Sequence, residues 1–325
     1  MMNSIYLFFL WFHLPVVTLQ GSAQGTTWQV MYVDAQQRNF QGAIDTTLLE
    51  FDHCLSIYRR DSELSLFNRS AASWEFQSPF FYPVLKKSAE VYAATNGAFD
   101  PTIMPLTEAY RAGKKTGSPW WEKADSLLQY VGFSQISFDE TGVHKSREQV
   151  RLDFDGIAQG YSVDVLAALL ERNGIHDYMV EIGGEVRCKG LKNGKPWTIA
   201  IDHPLHPGQK EATVQLINKA ATTAGNYRDH YEQAGKILTH IINPFTGFSA
   251  PSALKSVTVF AADAITADGY DTAFMVMGVE ATKRFLAQHK ELDALLIYTS
   301  ENGELRVFMT GGIKPFVTGM GGPVD

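Results

Sequence analysis

Three short stretches of the chain concentrate side chains that could do chemistry. The first is Asp153-Phe154-Asp155-Gly156-Ile157-Ala158-Gln159-Gly160-Tyr161, where two carboxylates run into glycines on both sides of Ala158. Glycines let backbone groups approach a ligand closely, and amides at the start of a following helix suit an anion. An ordinary strand-to-helix turn explains the same residues, and the spacing is not the dinucleotide-binding glycine fingerprint. The second is Ala267-Asp268-Gly269-Tyr270-Asp271-Thr272. Asp268 and Thr272 stand four apart and share a face on a helix. A carboxylate and a hydroxyl placed so are hard oxygen ligands of the kind Mg²⁺ takes, with Asp271 as a second carboxylate in the same turn. Helix capping by Asp268 accounts for that acid equally well. The third is Thr239-His240-Ile241-Ile242-Asn243-Pro244-Phe245-Thr246-Gly247, downstream of the polar run Thr222 to Arg228. His240 could take a proton from a hydroxyl near neutral pH, although a lone histidine is more often a packing or surface residue. Together these pieces favour a phosphate-bearing ligand held by backbone amides and Mg²⁺, without naming it.

The elements that must position these stretches follow from hydrophobic period and punctuation. Trp28 to Val33 alternates as a strand, and Phe40 to Ser56 carries a helical stripe. Tyr58 to Asn68 mixes charge with small polar residues and should turn at Asp61-Ser62. A helix over Tyr82 to Asn96 should end at Gly97, and Pro101 makes Asp100 extended. Residues 111 to 121 read as a surface insertion. Val150 to Phe154 reads as a strand feeding a helix that ends at Asn173-Gly174. Tyr178–Ile182, Trp197–Ile201, Ala212–Ile217, Ser256–Ala261, Leu295–Tyr298 and Leu305–Met309 are strands, with Gly311-Gly312 as the last two-strand turn. Helices are expected from near Ala267 and over Glu280 to His289. The mixture predicts an α+β body with a smaller lobe bounded near 70–130.

Composition narrows the function classes. The 325 residues carry 28 Lys plus Arg against 35 Asp plus Glu, so no broad basic field recommends a nucleic-acid partner. Cys54 and Cys188 are too few and too distant for a disulfide scaffold or a CxxC clamp. No GxSxG elbow or P-loop lysine occurs, and His203 and His206 in a Pro-rich loop do not make a zinc spacing. Ile5 to Leu19 is apolar and short for a membrane span. Residues 1–20 therefore read as a signal peptide or apolar N-terminal segment, with Gly21, Ser22 and Ala23 as the small residues that follow it. No Lys or Arg precedes Arg38, and Leu14 to Leu19 as an early strand is the alternative.

In their order, these blocks resemble the ApbE family of FAD:protein FMN transferases, or flavin transferases. The resemblance covers the chain from about residue 21 to residue 312. It rests on Ala23-Gln24-Gly25-Thr26-Thr27, on Leu55 to Tyr58 with Asp61-Ser62-Glu63 and Asn68, and on Gly97-Ala98-Phe99-Asp100-Pro101. Asp153 to Asp164, Gly183-Gly184, Thr223 to Arg228, His240 to Gly247, Ser256 to Val259 and Ala267 to Ala273 complete it.

The resemblance implies an α+β, ApbE-like flavin transferase fold with a mixed or antiparallel sheet core, flanking helices and a smaller lobe forming a flavin cleft. It implies one catalytic domain over residues 21–325, in two lobes with a surface insertion near 70–130. The implied reaction takes FAD as substrate with Mg²⁺, transfers FMN to a Thr or Ser hydroxyl of an acceptor protein, and releases AMP. The acceptor would carry a Ser/Thr-Gly-Ala-Thr-like motif, as on a subunit of a membrane redox pump. The site would then be periplasmic or on the outer face of the inner membrane, and cytoplasmic if the N-terminal segment is no signal.

Matched residue by residue, His240 is the base and Asp268 the catalytic carboxylate. Asp268, Asp271, Thr272 and the Ala158 carbonyl are the metal ligands. Tyr58, Ala98, Phe99, Asp100, Asp155, Tyr161, Thr223 and Ile241 contact FAD. Gln24, Gln159 and Glu181 depart from the common pattern, which frequently has Met, Lys and Asn there. Losing the lysine removes a positive charge from near the phosphates. The competing readings are a Mg²⁺-dependent FAD pyrophosphatase and a non-enzymatic flavin-binding protein.

Overall fold

A computed structural model describes residues 14–320, apart from 207, 227–229, 234 and 250–251. Its first half runs β1 (Val16–Ala23), β2 (Thr26–Val33), α1 (Gln41–Leu55), α2 (Glu63–Arg69), β3 (Ser73–Glu75), α3 (Phe81–Ala94), α4 (Met104–Thr116), α5 (Ala124–Leu128), β4 (Ile136–Phe138), β5 (Gly142–Lys145) and α6 (Ala158–Arg172). Then come β6 (Tyr178–Ile182), β7 (Glu185–Lys189), β8 (Trp197–Asp202), β9 (Lys210–Leu216), β10 (Lys219–Gly225), β11 (His230–Gln233), β12 (Lys236–Thr239), β13 (Leu254–Ala261), α7 (Ala264–Gln288), β14 (Asp293–Thr299), β15 (Leu305–Met309) and β16 (Val317–Thr318).

The alternation in β2 turns Trp28, Val30 and Tyr32 to one face, where all three are buried. Ile44, Leu48, Phe51 and Leu55 form the buried stripe of α1. Eight strands build the central sheet in the order β1-β2-β6-β7-β10-β13-β14-β15, with every neighbouring pair antiparallel. Helices cover one face: Trp28, Val30 and Tyr178 pack on Ile44, Leu48, Val163 and Leu166, and Val257 and Leu296 pack on Phe274 and Leu286. The other face is closed by the three-stranded sheet β16-β9-β8, which presses Trp197, Ala212 and Val214 onto Met179, Phe260 and Leu295. A smaller core joins Leu106, Tyr110, Trp120 and Ala124 of the α4–α5 segment to Leu238 of the β11–β12 hairpin and Ile242 just beyond it.

Several expectations change. Val150 to Phe154 joins no sheet. The Asn68 side chain replaces a neighbouring strand: its amide nitrogen donates to the Leu152 carbonyl at 2.8 Å, and its oxygen accepts the Leu152 amide at 2.8 Å. The turn expected at Asp61-Ser62 is present, with the Ser62 amide donating to the Arg59 carbonyl at 3.4 Å, and it leads into α2, where the Ser62 hydroxyl accepts the Ser65 amide at 3.1 Å. Residues 111–121 are mostly exposed, as a surface insertion should be, but residues 111–116 continue α4 and Trp120 is buried at 5.7 Å from the Tyr110 ring. Both expected last helices are present, run together as α7 and separated by the non-helical Gly278 (φ 74°), but the first starts earlier than expected, at Ala264, where the Asp263 carboxylate accepts the Thr266 amide. Gly311-Gly312 does not join two strands of the central sheet. It leads out of that sheet, and β16 pairs with β9.

Residues 1–13 of the expected signal or apolar segment lie outside the described residues, as do Tyr227 and Arg228. The rest of that segment from Val16 is paired in β1, which also takes Gly21 to Ala23. Gly21 faces Trp28 across the ladder, and a methyl group there would come within 2.6 Å of the indole. Both cysteines are buried and free. No helix among the described residues is long and apolar enough to cross a membrane.

Candidate active site

The site begins where the chain leaves Asn68's grip. The Asp153 amide donates to the Pro101 carbonyl at 2.7 Å, and its carboxylate accepts the Asp155 amide at 3.0 Å and the Thr107 hydroxyl at 2.8 Å. These bonds lock the turn before α6 against the Ala98-Phe99-Asp100 segment. The Asp100 carboxylate in turn accepts both the amide and the hydroxyl of Thr102, at 2.8 and 2.6 Å. Burial pushes Asp100 up to about 6 against those two bonds.

α6 and α7 lie against each other through polar contacts. The Thr272 hydroxyl donates to the Gly156 carbonyl at 3.3 Å, and the Gly160 amide donates to the Asp268 carboxylate at 2.7 Å. The close approach needs Gly160: a methyl group there would come within 2.3 Å of the Ala264 carbonyl oxygen. Because α7 starts at Ala264, Asp268 is past the turn that its own helix would have it cap. It satisfies an amide of the neighbouring helix instead. Of the carbonyls in this turn, that of Gly156 faces Thr272, while Ala158 opens α6.

Asp268 and Asp271 are both buried, and neither makes an ion pair among the described residues. Burial pushes Asp268 up to about 7, helped by the charges of Asp155 and Asp164 and opposed by the Gly160 amide. Asp271 is also driven well above the ordinary carboxylate range, by burial first and then by Asp268 and Glu185. Two buried acids that repel one another are a place where a cation restores ionisation. Their companions are a hydroxyl and a backbone carbonyl, an all-oxygen set that suits Mg²⁺, which commonly uses one or two carboxylates and completes its shell with water and phosphate. No cluster of three His, Cys, Asp or Glu side chains able to hold a metal exists among the described residues.

These residues open into one cavity of about 700 Å³. Asp155, Asp268, Asp271 and Thr272 line its floor, with Ala98, Phe99 and Asp100 from the segment before α4. Thr223 reaches it from β10, its hydroxyl 2.9 Å from that of Thr258, and His240 and Ile241 follow β12. Tyr58 lies at the rim, 73% exposed, and its hydroxyl donates to Asp155 at 2.9 Å. Eleven of the thirteen residues singled out in the sequence thus share one space. Tyr161 does not line it. Its ring packs 5.5 Å from Phe51 and 6.3 Å from Phe80 in the helical core. Ala158 is not on the cavity wall either.

Sequence reasoning missed the basic side of the cleft. Arg111, Lys114 and Lys115 stand at i, i+3 and i+4 on α4, and all three line the cavity. The Arg111 guanidinium donates to Asp155 at 2.8 Å, stands 3.7 Å from Asp153 and lies over the Tyr58 ring at 5.3 Å. Asp155 is nonetheless pushed up, by its crowded surroundings first and by Asp153 next. The helical spacing could have revealed this face, but the Gly/Lys-rich composition concealed it. Of the three departures from the common pattern, Gln159 lines the cavity and Gln24 and Glu181 do not. Gln24 accepts the Ser162 hydroxyl at 3.1 Å, Gln159 abuts Gly183, and Glu181 accepts the Gly184 amide at 2.8 Å.

The model of the ApbE family matches residues 24–296. An FAD:protein FMN transferase of Vibrio cholerae is 34% identical over 312 residues, covering 93% of each chain. One of Haemophilus influenzae is 34% identical over 308 residues, covering 89% of this chain and 88% of its own. Among solved structures, the flavin transferase ApbE from Vibrio cholerae superposes with a TM-score of 0.79 at 31% identity, over 93% of this chain and 99% of that one. The apo form of Pseudomonas stutzeri flavinyl transferase ApbE gives 0.81 at 28% identity, over 93% and 96%.

Proposed function

This chain belongs to the ApbE family, and from that premise we propose that it takes FAD as substrate, transfers the FMN half to a Thr or Ser hydroxyl of an acceptor protein, and releases AMP. The observation that carries the reading is the convergence of Tyr58, Ala98–Asp100, Asp155, His240–Ile241 and Asp268, Asp271 and Thr272 on one cavity from five separate parts of the chain.

Asp268, Asp271 and Thr272, with a backbone carbonyl of the turn entering α6, would hold Mg²⁺. When bound, that ion supplies positive charge to the pyrophosphate in a cleft whose α6 turn carries Gln159 in place of a lysine. Phe99 and Tyr58 offer rings to the flavin, and Asp155 and Arg111 fix the Tyr58 hydroxyl. His240, on the cavity wall, takes the proton from the acceptor hydroxyl. The hydroxyl oxygen bonds to the FMN-side phosphorus, the bond from that phosphorus to the bridging oxygen breaks, and AMP leaves with that oxygen. Lys114 and Lys115 place positive charge on the same cavity.

The acceptor in this reading bears a Ser/Thr-Gly-Ala-Thr-like segment on a subunit of a membrane redox pump. The work in this reading is done on the periplasmic side, with the apolar residues that precede β1 as the export segment, since Val16 to Leu19 belong to the sheet. The test is mass spectrometry of such an acceptor after incubation with FAD and Mg²⁺. An FMN adduct with equimolar AMP is expected. Free FMN and AMP without adduct would make the protein a pyrophosphatase, and no AMP at all would leave it a flavin binder.

A further inference from the structure

The polar contacts between α6 and α7 form a ladder. Gly156 meets Thr272, Gly160 meets Asp268, and Asp164 meets Ala264. Each step advances one helical turn of four residues on α6 and retreats four on α7, so the two helices run antiparallel with a rung per turn. The first two rungs carry Thr272 and Asp268. The third carries Asp164, whose two carboxylate oxygens accept the amides of Ala264 at 2.9 Å and Ile265 at 2.8 Å. Arg187 of β7 donates to the same carboxylate at 2.7 Å.

Capping alone does not explain this rung. α7 already has its own N-cap in Asp263, which takes the Thr266 amide. Asp164 collects the two amides that cap leaves over, from a helix 100 residues away in sequence. The exchange is reciprocal: α6 lends Asp164 to the start of α7, and α7 lends Asp268 to the start of α6. Since Asp268 lies one turn beyond Ala264 on the same rigid helix, the bond that fixes Ala264 also fixes how far the Asp268 carboxylate reaches. Asp268 lines the cavity while one of its oxygens accepts the Gly160 amide, so the placement of its carboxylate depends on the rung behind it.

Resting on the metal reading given above, we propose that Asp164, buttressed by Arg187, is a positioning residue for the divalent-cation site: it sets the axial position of α7 and thereby the placement of Asp268 and Thr272. Groups that orient metal ligands in this way typically cost 10–100-fold in metal affinity when removed.

The test uses Mn²⁺ as a paramagnetic probe, titrated into the full chain and followed by electron paramagnetic resonance, with FAD binding measured separately in EDTA. Asp164→Asn, which keeps the shape but not two full acceptors, should weaken Mn²⁺ binding by tenfold or more and leave FAD affinity in EDTA within about twofold. Trp197→Phe supplies the control for general destabilisation. It loses an indole bond to the Lys189 carbonyl on the far face of the sheet and should leave Mn²⁺ affinity unchanged. Should Asp164→Asn not fold, Arg187→Gln removes the buttress alone and should weaken Mn²⁺ binding severalfold. Wild-type affinity for Mn²⁺ in the folded variant overturns the positioning role, as does an equal loss in Trp197→Phe. A wild-type chain that binds no Mn²⁺ would overturn the metal reading itself, which separates the two failures.

Discussion

The Tyr58 hydroxyl donates to the Asp155 carboxylate at 2.9 Å across 97 residues of chain. The same carboxylate oxygen accepts the Arg111 guanidinium at 2.8 Å. An exposed ring is therefore held at the cleft rim by its polar tip, which has a direct consequence. Tyr58→Phe keeps the ring and frees it, so the ring must be ordered anew each time FAD binds. The expected result is a KM for FAD raised about three- to tenfold, the net worth of one ordinary hydrogen bond at an exposed rim, with kcat changed less than twofold. Steady-state kinetics with FAD varied at saturating acceptor checks this. A fall in kcat at constant KM would place Tyr58 in the chemistry instead.

Among the described residues, Arg111 is the cation bonded to Asp155, a carboxyl already pushed above its ordinary range. Removing a neighbouring positive charge raises a carboxyl further. In Arg111→Met, Asp155 should hold its proton to higher pH, and the ionised form that anchors Tyr58 should be reached later. The acid limb of kcat/KM against pH is expected to move upward by half a unit or more, with partial return in Arg111→Lys. A limb that stays in place would show that Asp155 is not what it reports.

Asp268 gives a stability test whose sign is fixed by burial. Its pKa rises from 3.8 to about 7 in the metal-free fold. Between those values the folded state binds more protons than the unfolded chain, so its contribution to stability falls as pH rises through that window. In EDTA, Asp268→Asn should therefore raise Tm by several degrees at pH 8 and have little effect at pH 4. The same proton competes with the cation, so wild-type Mg²⁺ affinity should drop about tenfold per pH unit below 7. Calorimetry and metal titration at both pH values decide the matter. An Asp268→Asn chain less stable than wild type at pH 8 would contradict a costly buried charge.

How much of this was legible follows from where each partner lies. The four-residue step from Asp268 to Thr272 is local, and it correctly placed both on one helix face. The start of α7 was misplaced because the apolar run begins before the glycine that drew attention, while Asp263, a good N-cap residue, was passed over. Asp164 looked like one more polar residue on an amphipathic helix, since its partners Ala264 and Ile265 lie about a hundred residues on and offer only backbone. Arg111 hid in a stretch whose Gly, Lys and Ser read as loop. Its helical continuation is stabilised by Trp120 folding back on Tyr110, a contact that periodicity does not encode.

Val150 to Phe154 is the clearest case of a local pattern overruled, and it yields the last prediction. Val150, Leu152 and Phe154 alternate as in a strand and are all fully buried, yet no neighbouring strand pairs with them. A buried extended segment must still satisfy its amides and carbonyls, and at Leu152 one side chain does so on both sides. Asn68→Ala would leave the Leu152 amide and carbonyl unpaired in the core. The expected cost is about 2–4 kcal/mol, from two buried backbone groups without partners. Asp153 and Asp155 follow directly on Leu152, so the turn they form should loosen as well. We expect denaturant unfolding to show that loss of stability, and FAD affinity to fall in conditions where the variant remains folded. A variant Asn68→Ala as stable as wild type would mean that water replaces the amide, and that the α6 turn is held by the Pro101 and Thr107 bonds alone.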